Sequence, residues 1–136
     1  RKMVNGQKAP DIQLYAGQNL YNLKNKFKLV VFGASWCQKC TEEIPKLAQF
    51  YQNWKDQYQL EVVFVSLDTQ KQAYQDFIKN FQWISTCDFK SWDSPTVTDY
   101  CVFGTPTMYL LDANNNIQIK PISAEQISAW LELHQP

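Results

Sequence analysis

The stretch Phe32-Gly33-Ala34-Ser35-Trp36-Cys37-Gln38-Lys39-Cys40 decides how the rest of the chain is read. A short apolar run from Lys28 to Phe32, of the kind a central strand buries on both faces, leads directly into two cysteines that open a helix. A helix N-terminus carries unpaired backbone N–H groups and the positive end of the helix dipole. A sulfur placed there is expected to have a lowered pKa and a sizeable thiolate fraction near neutral pH. The thiolate is the attacking species in disulfide exchange. With two residues between them, Cys40 can reach the sulfur of Cys37, so a mixed disulfide formed at Cys37 can be resolved within the same molecule. Cys37 is therefore the expected nucleophile and Cys40 the expected resolving thiol.

The same C-x-x-C spacing also occurs in zinc sites, which need four ligands. The chain offers no second C-x-x-C, only the widely spaced Cys87 and Cys101 and a single histidine, His134, so no metal or other cofactor is expected.

Further motifs lie in a consistent order around the cysteines. They are Ala9-Pro10-Asp11-Ile12-Gln13-Leu14 near the start, Glu42-Glu43-Ile44-Pro45 after the pair, and Gly104-Thr105-Pro106-Thr107-Met108-Tyr109-Leu110-Leu111-Asp112 downstream. With Ala34-Ser35-Trp36-Cys37, this arrangement resembles the thioredoxin-fold thiol-disulfide oxidoreductases of the TlpA/ResA type over nearly the whole chain. The resemblance implies an α/β, thioredoxin-like fold with a central mixed sheet flanked by helices, an N-terminal β-hairpin and an inserted α-β unit. It implies a cis bond before Pro106, with the backbone of Thr105 pairing with an extended substrate segment and Trp36 flanking the cysteines; simple core packing is the other role open to Trp36. Exchange also needs proton transfer near Cys40. Thioredoxins proper place an aspartate six residues before the first cysteine, where this chain has Val31, so that relay is not expected. Glu43, about one turn after Cys40, matches a glutamate that ResA-like proteins keep near the site, and it is the candidate catalytic carboxylate. Lys39 adds a cation beside the pair, and Glu42 reads as surface.

The pattern of the chain agrees with that fold class. Ile12 to Leu14 and Leu20 to Leu23 read as the short strands of the N-terminal hairpin, and Gln38 to about Tyr58 as an amphipathic helix that Pro45 should kink. Leu60 to Leu67 reads as a second central strand. Thr69-x-x-Gln72 resembles a capping box for a helix to about Asn80, and Phe81 to Thr86 reads as a strand; this helix and strand are the inserted unit. Ser94-Pro95 looks like the start of a short helix. Thr107 to Leu111 and Ile117 to Lys120 read as a hairpin about Asn114-Asn115-Asn116, and Ser123-x-x-Gln126 as the cap of a last helix. Cys87 and Cys101 flank the short helix after Ser94, and a strand-helix return could bring them within bonding distance as a second disulfide.

A length of 136 residues fits one domain with one sizeable core. Thirteen basic residues balance thirteen acidic ones, which argues against a nucleic-acid or anionic-membrane surface. No stretch approaches the roughly 20 apolar residues of a membrane span. The chain begins at Arg1 rather than Met and carries no signal peptide, so it is expected to be one domain excised from a longer protein. By resemblance that protein is exported to the bacterial cell envelope or periplasm and tethered there in full length. The expected function is thiol-disulfide exchange, most simply disulfide reduction, on cysteine-containing proteins, with an upstream thiol as electron donor and the domain acting as a monomer. Two other classes stay open. One is a thioredoxin-fold binding module whose cysteines stay a static disulfide; the other is a peroxiredoxin-like peroxidase, whose P-x-x-x-T-x-x-C context the chain lacks.

Overall fold

The apolar run forms strand β1, Phe27–Gly33, at the centre of a five-stranded sheet in a computed structural model that describes residues 3–134. β2 (Leu60–Ser66) lies parallel to β1, and β3 (Ile84–Cys87) lies parallel beyond it. On the other side β4 (Thr107–Asp112) runs antiparallel, followed by β5 (Ile117–Ile119), so the order is β3-β2-β1-β4-β5. The sheet is mixed and flanked by helices, the thioredoxin-like arrangement.

Alternation along each strand divides the apolar side chains between two cores. Leu29 and Val31 join Val62, Phe64 and Leu110 on one face, whereas Val30 and Phe32 join Val63, Val65 and Leu111 on the other. The first face is covered by α1 (Gln38–Tyr58), α2 (Lys71–Ile78) and α4 (Ala124–Leu133), through Ile44, Leu47, Trp54, Tyr74, Ile127 and Leu131. The indole N–H of Trp54 donates to Ser128 Oγ at 2.9 Å and ties α1 to α4. The N-terminal segment and the short α3 (Pro95–Asp99) cover the second face, with Ile12, Leu14, Leu20 and Val97 turned inward. α1 is one helix through Pro45, whose missing N–H leaves the carbonyl of Thr41 without its usual helical donor.

Two charged side chains are buried in the sheet, each with polar partners. Lys28 on β1 donates from Nζ to Asn115 Oδ1 at 2.9 Å and to the Ala113 carbonyl at 3.2 Å, so the β4–β5 turn closes over it. Burial holds the Lys28 pKa below the ordinary lysine value, with Asp112 opposing. Glu61 on β2 accepts from the Tyr51 hydroxyl at 2.6 Å and from the Val62 N–H at 3.0 Å.

Several local expectations are corrected. In place of a two-stranded N-terminal hairpin there is one antiparallel bridge, Gln13 with Asn19, and residues Leu20–Asn22 form a 3-10 turn. The segment packs Leu14 and Leu20 onto the sheet and bonds Leu20 N–H to Ile12 O and Leu14 N–H to Gln18 O, both at 2.8 Å, so its apolar side chains are buried and these backbone groups paired without a longer ladder. The Thr69-x-x-Gln72 box is not made: Gln70 is the N-cap of α2, and the Gln72 amide donates to Asp76 Oδ1 at 2.9 Å instead. Ser94 precedes α3 but spends its hydroxyl on Asp88 Oδ2 at 2.7 Å. Ser123 does cap α4, accepting from the Gln126 N–H at 3.0 Å. The expected disulfide between Cys87 and Cys101 is not formed. Cys87 belongs to the core beneath α1, whereas Cys101 packs against the core on the opposite face, so the sheet stands between them.

Candidate active site

β1 ends at Gly33, beside Ser66 at the C-terminal end of β2, and the chain crosses residues 34–36 before entering α1. Cys37 is the N-cap of that helix. Its backbone is extended, and its sulfur accepts the Cys40 N–H at 3.2 Å, the place a serine or aspartate oxygen usually takes. The Cys37 sulfhydryl also lies 3.5 Å from the carbonyl of Thr105. Burial alone would raise the Cys37 pKa. Bonds from the Cys40 and Thr105 side chains and from the Cys40 and Lys39 N–H groups outweigh it and hold this thiol below its ordinary value. Cys40, fully buried one turn further on, is pushed up to about 12 by burial and by its bond to Cys37. The two sulfurs are thus poised in opposite directions, one toward thiolate and one toward thiol.

Tight packing fixes that asymmetry. A Cβ at Gly33 would come within 2.6 Å of Ile44 Cδ1 and 3.2 Å of Cys40 Sγ, so glycine permits the close approach of β1 to the helix carrying the inner sulfur. Val31, where thioredoxins proper carry an aspartate, is fully buried among apolar neighbours.

Thr105 and Pro106 lie beside the pair, joined by a cis peptide bond. Trp36 is half exposed, so it is not a core residue; its ring meets that of Trp92 with centroids 6.5 Å apart. Glu43 is half-buried, and its Oε2 pairs with Lys46 Nζ at 3.2 Å. Among the described residues no hydrogen bond joins Glu43 to Cys40, so the structure does not bring it into direct contact with the sulfurs.

A second set of residues was not foreseen. Asp68, fully buried just beyond β2, accepts the Ser35 N–H at 3.1 Å, the Ser35 hydroxyl, and the Ser66 hydroxyl at 2.6 Å. It anchors the loop that presents Trp36 and Cys37. Its sequence signal was slight: a carboxylate just past a parallel strand whose last residue, Ser66, lies in register with Gly33. The Cys87 sulfhydryl donates to the Asp68 carbonyl at 3.4 Å, and burial raises its pKa. Trp92 was missed because it reaches Trp36 through a loop in which Phe89 and Ser91 take positive φ. Among the described residues no cluster of histidine, cysteine and carboxylate groups could hold a metal ion.

This fold, carrying a paired N-cap thiol and buried thiol beside a cis-proline loop, defines a thioredoxin-like protein. A family model described as thioredoxin-like matches residues 25–117, and the chain belongs to that family. It is 27% identical over 135 residues to the thiol-disulfide oxidoreductase ResA of Bacillus cereus, covering 96% of this chain and 76% of that protein. It is 29% identical over 116 residues to the sporulation thiol-disulfide oxidoreductase A of Bacillus subtilis, covering 80% of this chain and 68% of the other. Among solved structures, the thioredoxin domain of a thiol-disulfide oxidoreductase from Bacteroides vulgatus superposes with a TM-score of 0.84 at 25% identity, covering 97% of this chain and 98% of that one. A thiol-disulfide oxidoreductase from Bacteroides fragilis gives 0.81 at 27% identity, with 93% and 98% covered.

Proposed function

We propose that the chain is a protein thiol-disulfide oxidoreductase that reduces disulfides in cysteine-containing proteins through Cys37 and Cys40. The observation that carries this reading is the geometry of the pair: the Cys37 sulfur caps α1, accepting the Cys40 N–H at 3.2 Å and lying 3.5 Å from the Thr105 carbonyl, with Cys40 buried one turn behind it. The Cys37 thiolate attacks one sulfur of the substrate disulfide, forming a mixed disulfide and expelling the other sulfur as a thiolate that takes up a proton. Cys40 then loses its proton and attacks Cys37 Sγ. The Cys37–Cys40 bond forms, the mixed disulfide breaks and the second substrate thiol leaves, so two electrons have passed from the pair to the substrate. An upstream dithiol returns them. Glu43, one turn after Cys40, is the group we assign to carry the Cys40 proton toward solvent, and Thr105 and Pro106 with Trp36 form the surface that receives the substrate segment.

We place the chain as one monomeric domain of an exported protein of the bacterial cell envelope, the setting implied by its resemblance to the TlpA/ResA type. Among the described residues no helix is long and apolar enough to cross a membrane. Catalysed reduction of a protein disulfide by a dithiol donor tests the reading. Wild type is expected to turn over and Cys37→Ser to lose essentially all activity, while Cys40→Ser accumulates mixed disulfides with the substrate. A wild type that never turns over, with Cys37 and Cys40 held as a fixed disulfide, would support a static binding module instead.

A further inference from the structure

The sheet is left incomplete next to the cysteines. β5 pairs with β4 only at Leu110 and Leu111, so among the described residues the first part of β4, from Thr107 to Tyr109, has no strand on that edge. An open edge presents backbone N–H and C=O groups to any extended segment laid beside it. Alongside this edge lies a groove lined by Pro106, Thr107 and Met108 together with Pro121 and the exposed Ile122. Its volume of about 220 Å³ is below that of sites that enclose a drug-sized molecule, and suits one or two side chains of a longer segment.

Both charged residues that line the groove are cations, Lys39 from the first turn of α1 and Lys120 from the end of the β4–β5 hairpin. The first turn of α1 contains no acidic residue. Among the described residues the ion pair present is Glu43 with Lys46, so neither Lys39 nor Lys120 has a carboxylate partner among them. The exposed Glu42, on the same helix, does not line the groove. In a chain of zero formal net charge, two lysines without an ion-pair partner among the described residues line one groove near the reactive sulfur.

We propose that this groove is a subsite for an acidic side chain of the substrate, an Asp or Glu close in sequence to the reacting cysteine, on a segment lying along the open edge of β4. The proposal rests on the oxidoreductase reading and narrows its substrate class to disulfides with acidic flanks. Lys39 and Lys120 act here as specificity residues: they contribute to binding the segment and take no part in the exchange itself.

The test is single-turnover reduction of disulfide-linked peptides that differ only in carrying Glu, Gln or Lys next to the cysteine, on either side of it. Reduced wild type is compared with Lys120→Gln, Lys39→Gln and the double Lys39→Glu/Lys120→Glu variant. Because Lys39 neighbours Cys37, absolute rates can move with the sulfur; the ratio of Glu to Gln peptide within one variant cancels that effect. Wild type should prefer the Glu peptide over the Gln peptide by about three- to tenfold in low salt, from two exposed ion pairs each worth up to about fivefold, with the preference fading as salt is raised. Lys120→Gln should lower the ratio, and the double reversal should place the Lys peptide first. Equal rates for all three peptides, or a Glu preference that both the Lys120→Gln and double variants keep, overturn the subsite while leaving the oxidoreductase reading standing. No reduction of any peptide overturns that reading and the subsite with it.

Discussion

At Cys37 the helix and the sulfur serve each other: the sulfur satisfies the Cys40 N–H that would otherwise lack a partner, and the N–H stabilises negative charge on the sulfur. The pH dependence follows in sign. Cys37 is held below the ordinary thiol value, so its alkylation in the reduced protein should persist at pH values where an ordinary thiol has become inert, and should decline only as pH falls through the lowered pKa. Cys40, at about 12, should stay unmodified across the same range, as should the buried Cys87, whose pKa is also raised. Mass spectrometry of partly alkylated native protein reads both, and equal labelling of Cys37 and Cys40 would contradict the assignment. By linkage, the folded reduced protein binds fewer protons than the unfolded chain between the lowered Cys37 pKa and 9.0, so Cys37 adds stability as pH rises through that window; between 9.0 and about 12 Cys40 works the other way. Glu43→Gln keeps shape and removes the carboxylate proposed to relay the Cys40 proton, so it should alter the pH–rate profile of disulfide reduction without changing the melting temperature by more than a few degrees. A profile identical to wild type would leave Glu43 only its ion pair with Lys46.

Between elements, the site depends on a carboxylate from a neighbouring strand end. Asp68 holds the Ser35 loop through both oxygens, and in Asp68→Asn one oxygen becomes an NH₂ group, which cannot accept the bonds that oxygen took. That variant should lose about 1–3 kcal/mol of stability, the cost of stranding a buried polar group. It should also alkylate at Cys37 with an altered rate, because the loop before the N-cap loses its anchor. Ser35→Ala should do less, since the Ser66 bond remains. Denaturant melts beside alkylation rates check this, and a wild-type melt for Asp68→Asn would show that the network carries no load. The central strands were legible in the sequence as short continuous apolar runs, as in Leu29 to Phe32, and the long helices because a three-to-four-residue period repeats over enough positions, as in Ile44, Leu47, Tyr51 and Trp54. The cysteine pair was legible because its members are neighbours in the chain. Asp68, Trp92 and the lysine-lined groove were not, because register and loop geometry bring them to the site from distant parts of the sequence. The N-terminal hairpin was overread for the opposite reason: its apolar residues do face the sheet, but they pack as a turn with a single bridge.

At the scale of the molecule, the mixed sheet separates two cores, and that separation assigns the four cysteines. Cys37 and Cys40 share one helix turn beyond the end of the central strand, while Cys87 and Cys101 pack against opposite cores and are not bonded. The chain should therefore have one internal redox couple. The most direct test is an equilibrium titration of the whole chain against glutathione buffers, quenched by alkylation and read by peptide mass spectrometry. We predict a single two-electron transition in which the labels on Cys37 and Cys40 disappear together as the buffer becomes oxidising, with Cys87 and Cys101 still labelled after unfolding. A transition that joins any other pair, or no transition at Cys37 and Cys40 at any buffer ratio, would contradict the account.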